Sequence, residues 1–316
     1  MAQTFYPITP TEIVAGTQNE WVTMNASALI AEGATGVVLH CVNINSSARA
    51  LGLRKNGSTD DRTVDLHGYG HCWAAIGVDA SRYFEAYVGT SYEDFDIYVV
   101  GYTMSGVTFS TNADDMSLGV TGSWQPIDCS TEAPSAIGLI FEIIAPSWLE
   151  SGLRKNGSSD DRHPDVKNHR CFGAIIGCDD AQICEGYIEG TTTDFFLLGY
   201  ITDGCTLNTN ADDVSLGSTA EWLDLSALPS GVNMGFIEVI SNASLDFGLR
   251  KNDTAEDIYR YVSRHAWGIV ECDASQIIEG KIANTGVDFF VVGYSEVIVP
   301  PAYIPRHSGT AGVIII

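Results

Sequence analysis

Gly52-Leu53-Arg54-Lys55-Asn56-Gly57-Ser58-Thr59-Asp60-Asp61-Arg62 returns as Gly152-Leu153-Arg154-Lys155-Asn156-Gly157-Ser158-Ser159-Asp160-Asp161-Arg162. A worn copy follows as Gly248-Leu249-Arg250-Lys251-Asn252-Asp253-Thr254-Ala255-Glu256-Asp257, with Arg260 nearby. The first Arg stands at 54, 154 and 250, a spacing of 100 and then 96 residues. That is too long for a solenoid unit and about right for a small domain. The chain reads as one unit in triplicate.

The segments around the motif read as strands. Before it stand Gly36-Val37-Val38-Leu39-His40-Cys41-Val42 and its counterparts from Ile137 and Met234, short and β-branched as buried strands are. In the motif, the two-residue alternation turns Leu inward and Arg outward, and Asn56-Gly57 is a turn pair. After it, Trp73 to Val78 and Tyr83 to Val88 flank Asp79-Ala80-Ser81 and predict a hairpin, repeated about Asp179 and Asp273. Each unit closes on a strand from Asp96, Asp194 or Asp288 to a Gly-Tyr pair. Trp21, Trp124 and Trp222 open the units and read as core anchors. No segment carries a capped 3.6-residue period.

These signals predict an all-β chain of three tandem antiparallel β-sandwich, jelly-roll-like modules with extended terminal arms. The expected boundaries are an arm at 1–20, where Pro7 and Pro10 oppose ladder pairing, modules at 21–104, 105–202 and 203–296, and a tail at 297–316. The tail is rich in proline and ends on Val313, Ile314, Ile315 and Ile316, apolar residues suited to adding a strand to a neighbouring subunit.

Composition narrows the partners. The net charge of −24 repels nucleic acid and anionic membranes. Of the 16 Lys and Arg, Arg54, Lys55, Arg62, Arg154, Lys155, Arg162, Arg250, Lys251 and Arg260 belong to the motifs. They are expected to pair with carboxylates inside each unit or to form contacts between units. Of the 8 Cys, no two stand in a C-x-x-C spacing, and buried free thiols are expected. The first residues show neither a charged n-region nor an apolar h-region, so synthesis in a cytoplasm is expected.

No common catalytic motif is present. Glu85, Glu185 and Glu279 recur, as do Asp96, Asp194 and Asp288. Paired carboxylates can hydrolyse glycosides, but residues kept in every copy read more simply as partners of Arg54, Arg154 and Arg250. The candidate structural and interface residues are therefore Arg54, Lys55, Asp60, Asp61, Arg62 and Asp96, then Arg154, Lys155, Asp160, Asp161, Arg162 and Asp194. In the third copy they are Arg250, Lys251, Asp257 and Asp288. His71, His169 and His265 read as structural. No cofactor is expected; acidic pairs such as Asp114-Asp115 leave calcium as the one cation to consider. Tyr69, Tyr83, Tyr87 and Tyr92 are candidates for a glycan-stacking surface.

The motif pair G-L-R-K-N-G-S-x-D-D-R and D-x-x-V-V-G-Y resembles the β-sandwich repeats of tailed-phage virion proteins, the head-decoration and fibre type. The resemblance implies a non-enzymatic structural subunit at a virion surface, a capsid decoration or tail-associated protein. Its partners would be copies of itself and other virion proteins. A glycan- or receptor-binding adhesin is the alternative, with a cellular filament or surface-layer subunit as a further variant.

Overall fold

The computed structural model describes residues 3–145, 148–166, 171–219, 221–261 and 264–297. The first copy contributes β1 (Phe5–Glu12), β2 (Trp21–Asn25), β3 (Gly36–Asn43), β4 (Arg49–Lys55), β5 (Val64–Leu66), β6 (His71–Gly77), β7 (Tyr83–Val88) and β8 (Phe95–Thr103). The second contributes β9 (Val107–Asp115), β10 (Gln125–Asp128), β11 (Gly138–Ile144), β12 (Leu149–Lys155), β13 (Asp165–Val166), β14 (Cys171–Gly177), β15 (Ile183–Ile188) and β16 (Asp194–Ile201). The third contributes β17 (Cys205–Asp213), β18 (Leu223–Asp224), β19 (Val232–Ser241), β20 (Asp246–Lys251), β21 (Arg260–Tyr261), β22 (His265–Glu271), β23 (Ile278–Ile282) and β24 (Val287–Glu296). The one helical turn among the described residues is a 3-10 turn at Tyr92–Asp94.

Six four-stranded antiparallel sheets result. Their strand orders are β1-β8-β3-β6 and β2-β7-β4-β5 in the first copy, and adding eight or sixteen to each number gives the other two pairs. The sheets are set as six blades in a propeller-like arrangement, and this corrects the expectation of three tandem β-sandwich, jelly-roll-like modules. The inner edge strands β6, β14 and β22 pack against one another. Gly173, at φ +70°, lies so close to β6 that a Cβ there would stand 2.7 Å from the Trp73 carbonyl oxygen. The ring His71 of the first copy lies 4.4 Å from Phe247 of the third, and His265 of the third bonds the Ser151 carbonyl of the second at 3.1 Å. Alternation in a sequence sets which residues of a strand are buried, not which sheet covers them. Here part of the cover comes from another copy, and one hydrophobic core runs through all three.

Two further expectations are corrected. Residues 1–20 are not an arm throughout, because β1 pairs with β8 from Phe5↔Thr103 to Glu12↔Tyr98. Pro7 and Pro10 are accommodated by a register shift between Pro7 and Thr11 on an edge strand, where missing donors cost little. The segments either side of Asp79 are not a hairpin: β6 pairs with β3 in one sheet, and β7 pairs with β2 and β4 in the other. The turn is an arch between sheets. The Asp79 carboxylate accepts from the Ser81 and Tyr83 amides, and Asn56 of the motif donates to it at 2.6 Å. Asp179 with Asn156 and Asp273 with Asn252 repeat this. Cys41, Cys72, Cys129, Cys178, Cys184, Cys205 and Cys272 are free and buried.

Candidate functional site

The motif closes each copy on itself and then on the next. Within a copy, Arg54 pairs with Glu85 at 2.5 Å across the β4–β7 ladder, donates to the Asp60 carbonyl, and lies 3.9 Å over the Trp21 ring. Trp21 in turn donates its indole N–H to Asp61 at 2.9 Å. Arg154 with Glu185, Trp124 and Asp161 repeats the arrangement, as does Arg250 with Glu279, Trp222 and Asp257. The three tryptophans are half-buried covers over the motif, not the core anchors expected.

Between copies, Lys55 donates to the Phe109 carbonyl on β9 at 2.9 Å, and Lys155 to the Leu207 carbonyl on β17 at 3.1 Å. Asn112 accepts from the Ser58 hydroxyl and the Thr59 amide, both at 2.9 Å; Asn210 does the same for Ser158 and Ser159. Asp60 and Asp160 accept from the Ala113 and Ala211 amides at 2.8 Å. Arg62 crosses to Glu142 at 2.8 Å while holding Asp60 at 3.1 Å; Arg162 crosses to Glu238 at 2.7 Å while holding Asp160 at 2.8 Å. Glu238 also meets His265 at 2.8 Å, both fully buried. Arg54, Arg154 and Arg250 thus pair within their own copy, and Lys55, Lys155, Arg62 and Arg162 reach the next.

The third copy meets the first by the same faces, with β1 in the place of β9 and β17, but the locking parts differ. The register equates Pro7 with Phe109 and Leu207, and His40 with Glu142 and Glu238. Three residues, 8–10, separate Pro7 from Thr11, where four, 110–113, separate Phe109 from Asp114, so no Asn reaches the motif. Ile258 stands eight residues after Arg250, as Arg62 does after Arg54, and Arg260 is therefore not the missing partner. It belongs instead to β21, opposite Phe247.

Gly77 and Gly177 become Glu271. A Cβ on Gly77 would stand 2.6 Å from the Phe109 side chain, so a side chain fits only where that plug is absent. Lys251 then turns to Glu271 at 2.6 Å.

The loss of these parts leaves a cavity of ≈ 400 Å³ at the third junction, against ≈ 20 and ≈ 10 Å³ at the two closed ones. Its walls are residues 8–10 of β1, His40, Trp73, Tyr98 and Val100 from the first copy, and residues 249–251, 254, 256, 258 and 269–271 from the third. His40 stacks on Trp73 at 4.0 Å and bonds His71 at 2.9 Å. Burial lowers the His40 pKa to about 3, so the ring is neutral. Burial and then the neighbouring Glu271 raise the Glu256 carboxyl, with Arg250 and Lys251 acting against them. The cavity is lined by apolar side chains together with Arg250, Lys251, Glu256 and Glu271 on its motif side, a form suited to holding a ligand.

The remaining candidates stay dispersed. Asp194 and Asp288 begin or nearly begin β16 and β24 and bond to Ser117 and Ser215; burial raises both. Asp96 lies opposite Val42 on β8. None of the rings Tyr69, Tyr83, Tyr87 and Tyr92 contacts another of the four; Tyr87 lies against Trp21. Among the described residues no group of three or more His, Cys, Asp or Glu is placed to hold a metal ion. His169 and the tail residues Val313, Ile314, Ile315 and Ile316 lie outside the described residues. Sequence reasoning missed His40, Glu142, Glu238, Glu256, Ile258 and Glu271. The signal was available in the exchange of Arg62 and Arg162 for Ile258, and of Gly77 and Gly177 for Glu271.

No family model matches the chain, and no curated protein matches it. Among solved structures, the N-terminal CBM22-1–CBM22-2 tandem domain of Paenibacillus barcinonensis Xyn10C is similar at 11% identity, over 61% of this chain and 94% of that one, with a TM-score of 0.15. A likeness at that level carries no argument about this chain.

Proposed function

We propose that the chain is a non-enzymatic structural subunit of a virion surface, a capsid decoration or tail-associated protein. The observation that carries this reading is how the recurrent charges are used. Arg62–Glu142 and Arg162–Glu238 lock successive copies together, and Arg54, Arg154 and Arg250 pin each motif to its own copy. The motif is thereby committed to making one rigid body. That body carries a net charge of −24, which keeps crowded copies soluble and apart except at chosen contacts. The motif's likeness to virion repeats supplies the setting: synthesis in a host cytoplasm, then display on the particle among other virion proteins.

The test is antibody labelling of purified particles against the soluble fraction of the same lysate. Labelling of the particle surface is expected. Recovery of the chain only as a soluble protein would overturn the proposal. The cavity at the third junction favours a second reading, a surface protein that also binds a receptor. Particles stripped of the chain would then keep their integrity and lose attachment.

A further inference from the structure

At both closed junctions an arginine side chain passes from one copy to the next. The Arg62 guanidinium lies 4.3 Å over the Phe196 ring between Asp60 and Glu142; Arg162 lies 4.6 Å over Phe290 between Asp160 and Glu238. The third junction keeps two of the three parts that hold such a group. Tyr98 stands where Phe196 and Phe290 stand, and Glu256 stands where Asp60 and Asp160 stand. The arginine itself is replaced by Ile258, and the cavity opens in its place.

We infer that the third junction is a binding site for a guanidinium group supplied by another molecule, in the form of an arginine side chain on a partner polypeptide. Leu249, Ile258 and Val270 offer an apolar wall for the methylene stem, and Tyr98 a ring for the planar head. Glu256 is the acceptor at the head, with Glu271 on the same wall. Of the cations lining the cavity, Arg250 is held by Glu279 and Lys251 by Glu271, and His40 is neutral; Arg260 stands outside the lining on β21, near enough to act on Tyr98 and His71. The cavity exceeds what one guanidinium fills because the Asn-bearing bulge of β9 and β17 is also missing, which leaves room for a stretch of partner backbone. A chain of net charge −24 draws such a cation from solution. This goes beyond the virion reading and does not depend on it.

The experiment is calorimetric titration of the full chain at low salt with N-acetyl-arginine methylamide, methylguanidinium and N-acetyl-lysine methylamide. Saturable binding of the arginine probe is expected, with the lysine probe weaker by about ten-fold, because an ammonium has no planar fork. Glu256→Gln should weaken it by about ten-fold through loss of the charge-assisted bond. Ile258→Arg, which fills the space from within, should abolish it while the chain still unfolds in one cooperative transition. Tighter binding of the arginine probe than of methylguanidinium supports a polypeptide source; equal affinities overturn that source in favour of a small free guanidinium. Absence of saturable binding by either guanidinium probe, equal binding of the lysine probe, or binding unchanged in Ile258→Arg overturns the site.

Discussion

Arg162 meets Glu238, whose side chain is fully buried and whose other partner is His265. Removing one member of such a pair costs more than the pair contributes, because a buried charge is left under-compensated. Arg162→Leu is therefore expected to destabilise the chain by about 3 kcal/mol, read as a lower urea midpoint with an unchanged slope. A second residue-scale effect appears with pH. Burial pushes the Asp79 carboxyl up, but bonds from the Tyr83 amide, Asn56 and the Ser81 amide outweigh it, so the carboxyl titrates below its ordinary range. Asp179 and Asp273 behave alike. The unfolded chain takes up these protons first. Their stabilisation is complete above the unfolded value of about 3.9 and is lost as pH falls through the lower folded values. Replacing all three by Ala should flatten stability against pH below about 4; an unchanged acid limb would remove the arches from the account.

At the scale of elements, the decisive parts are the strands that open each copy. β9 and β17 carry a bulge whose Asn112 and Asn210 accept from the preceding motif, and β1 does not. Asn112→Ala should cost about 1–2 kcal/mol and speed hydrogen exchange at the Thr59 amide, with no effect at the third junction. Strand positions were legible because alternation and turn residues mark them locally: Asn56-Gly57 and the Gly101-Tyr102 ending both fall where expected. The pairing was not. A strand such as β6, buried at every residue, shows no face to read, so its reversal about Asp79 looks like a hairpin in sequence and is an arch in space. Pro7 and Pro10 hid β1 for a related reason, since a ladder tolerates them only at an edge and a register shift, and sequence shows neither.

On the scale of the whole molecule, a threefold spacing of one motif revealed three copies but not their closure into six blades around a shared core. Closure depends on faces that the copies cover for each other, and those contacts join residues far apart in sequence, 53 positions between Asp60 and Ala113 and 114 between Ser151 and His265. The motif residues were read as structural, and the cavity opens where the copies diverge. Strict recurrence drew attention to Arg54, Arg154 and Arg250, and the informative residues are the exceptions, His40, Ile258 and Glu271. A shared core also predicts shared fate: calorimetric unfolding should show one transition, and a fragment spanning 105–202 should fail to fold alone.

The third junction is a closed junction with its arginine and glutamate replaced by Ile258 and His40. A double-mutant cycle of His40→Glu and Ile258→Arg tests it directly, by urea unfolding of the four proteins. His40→Glu alone should destabilise by burying a charge without its partner, Ile258→Arg alone keeps Glu256 as an acceptor and should cost less, and the pair together should show about 1–3 kcal/mol of favourable coupling. Strictly additive losses would mean that the two positions do not face each other as Glu142 and Arg62 do, and would contradict the account.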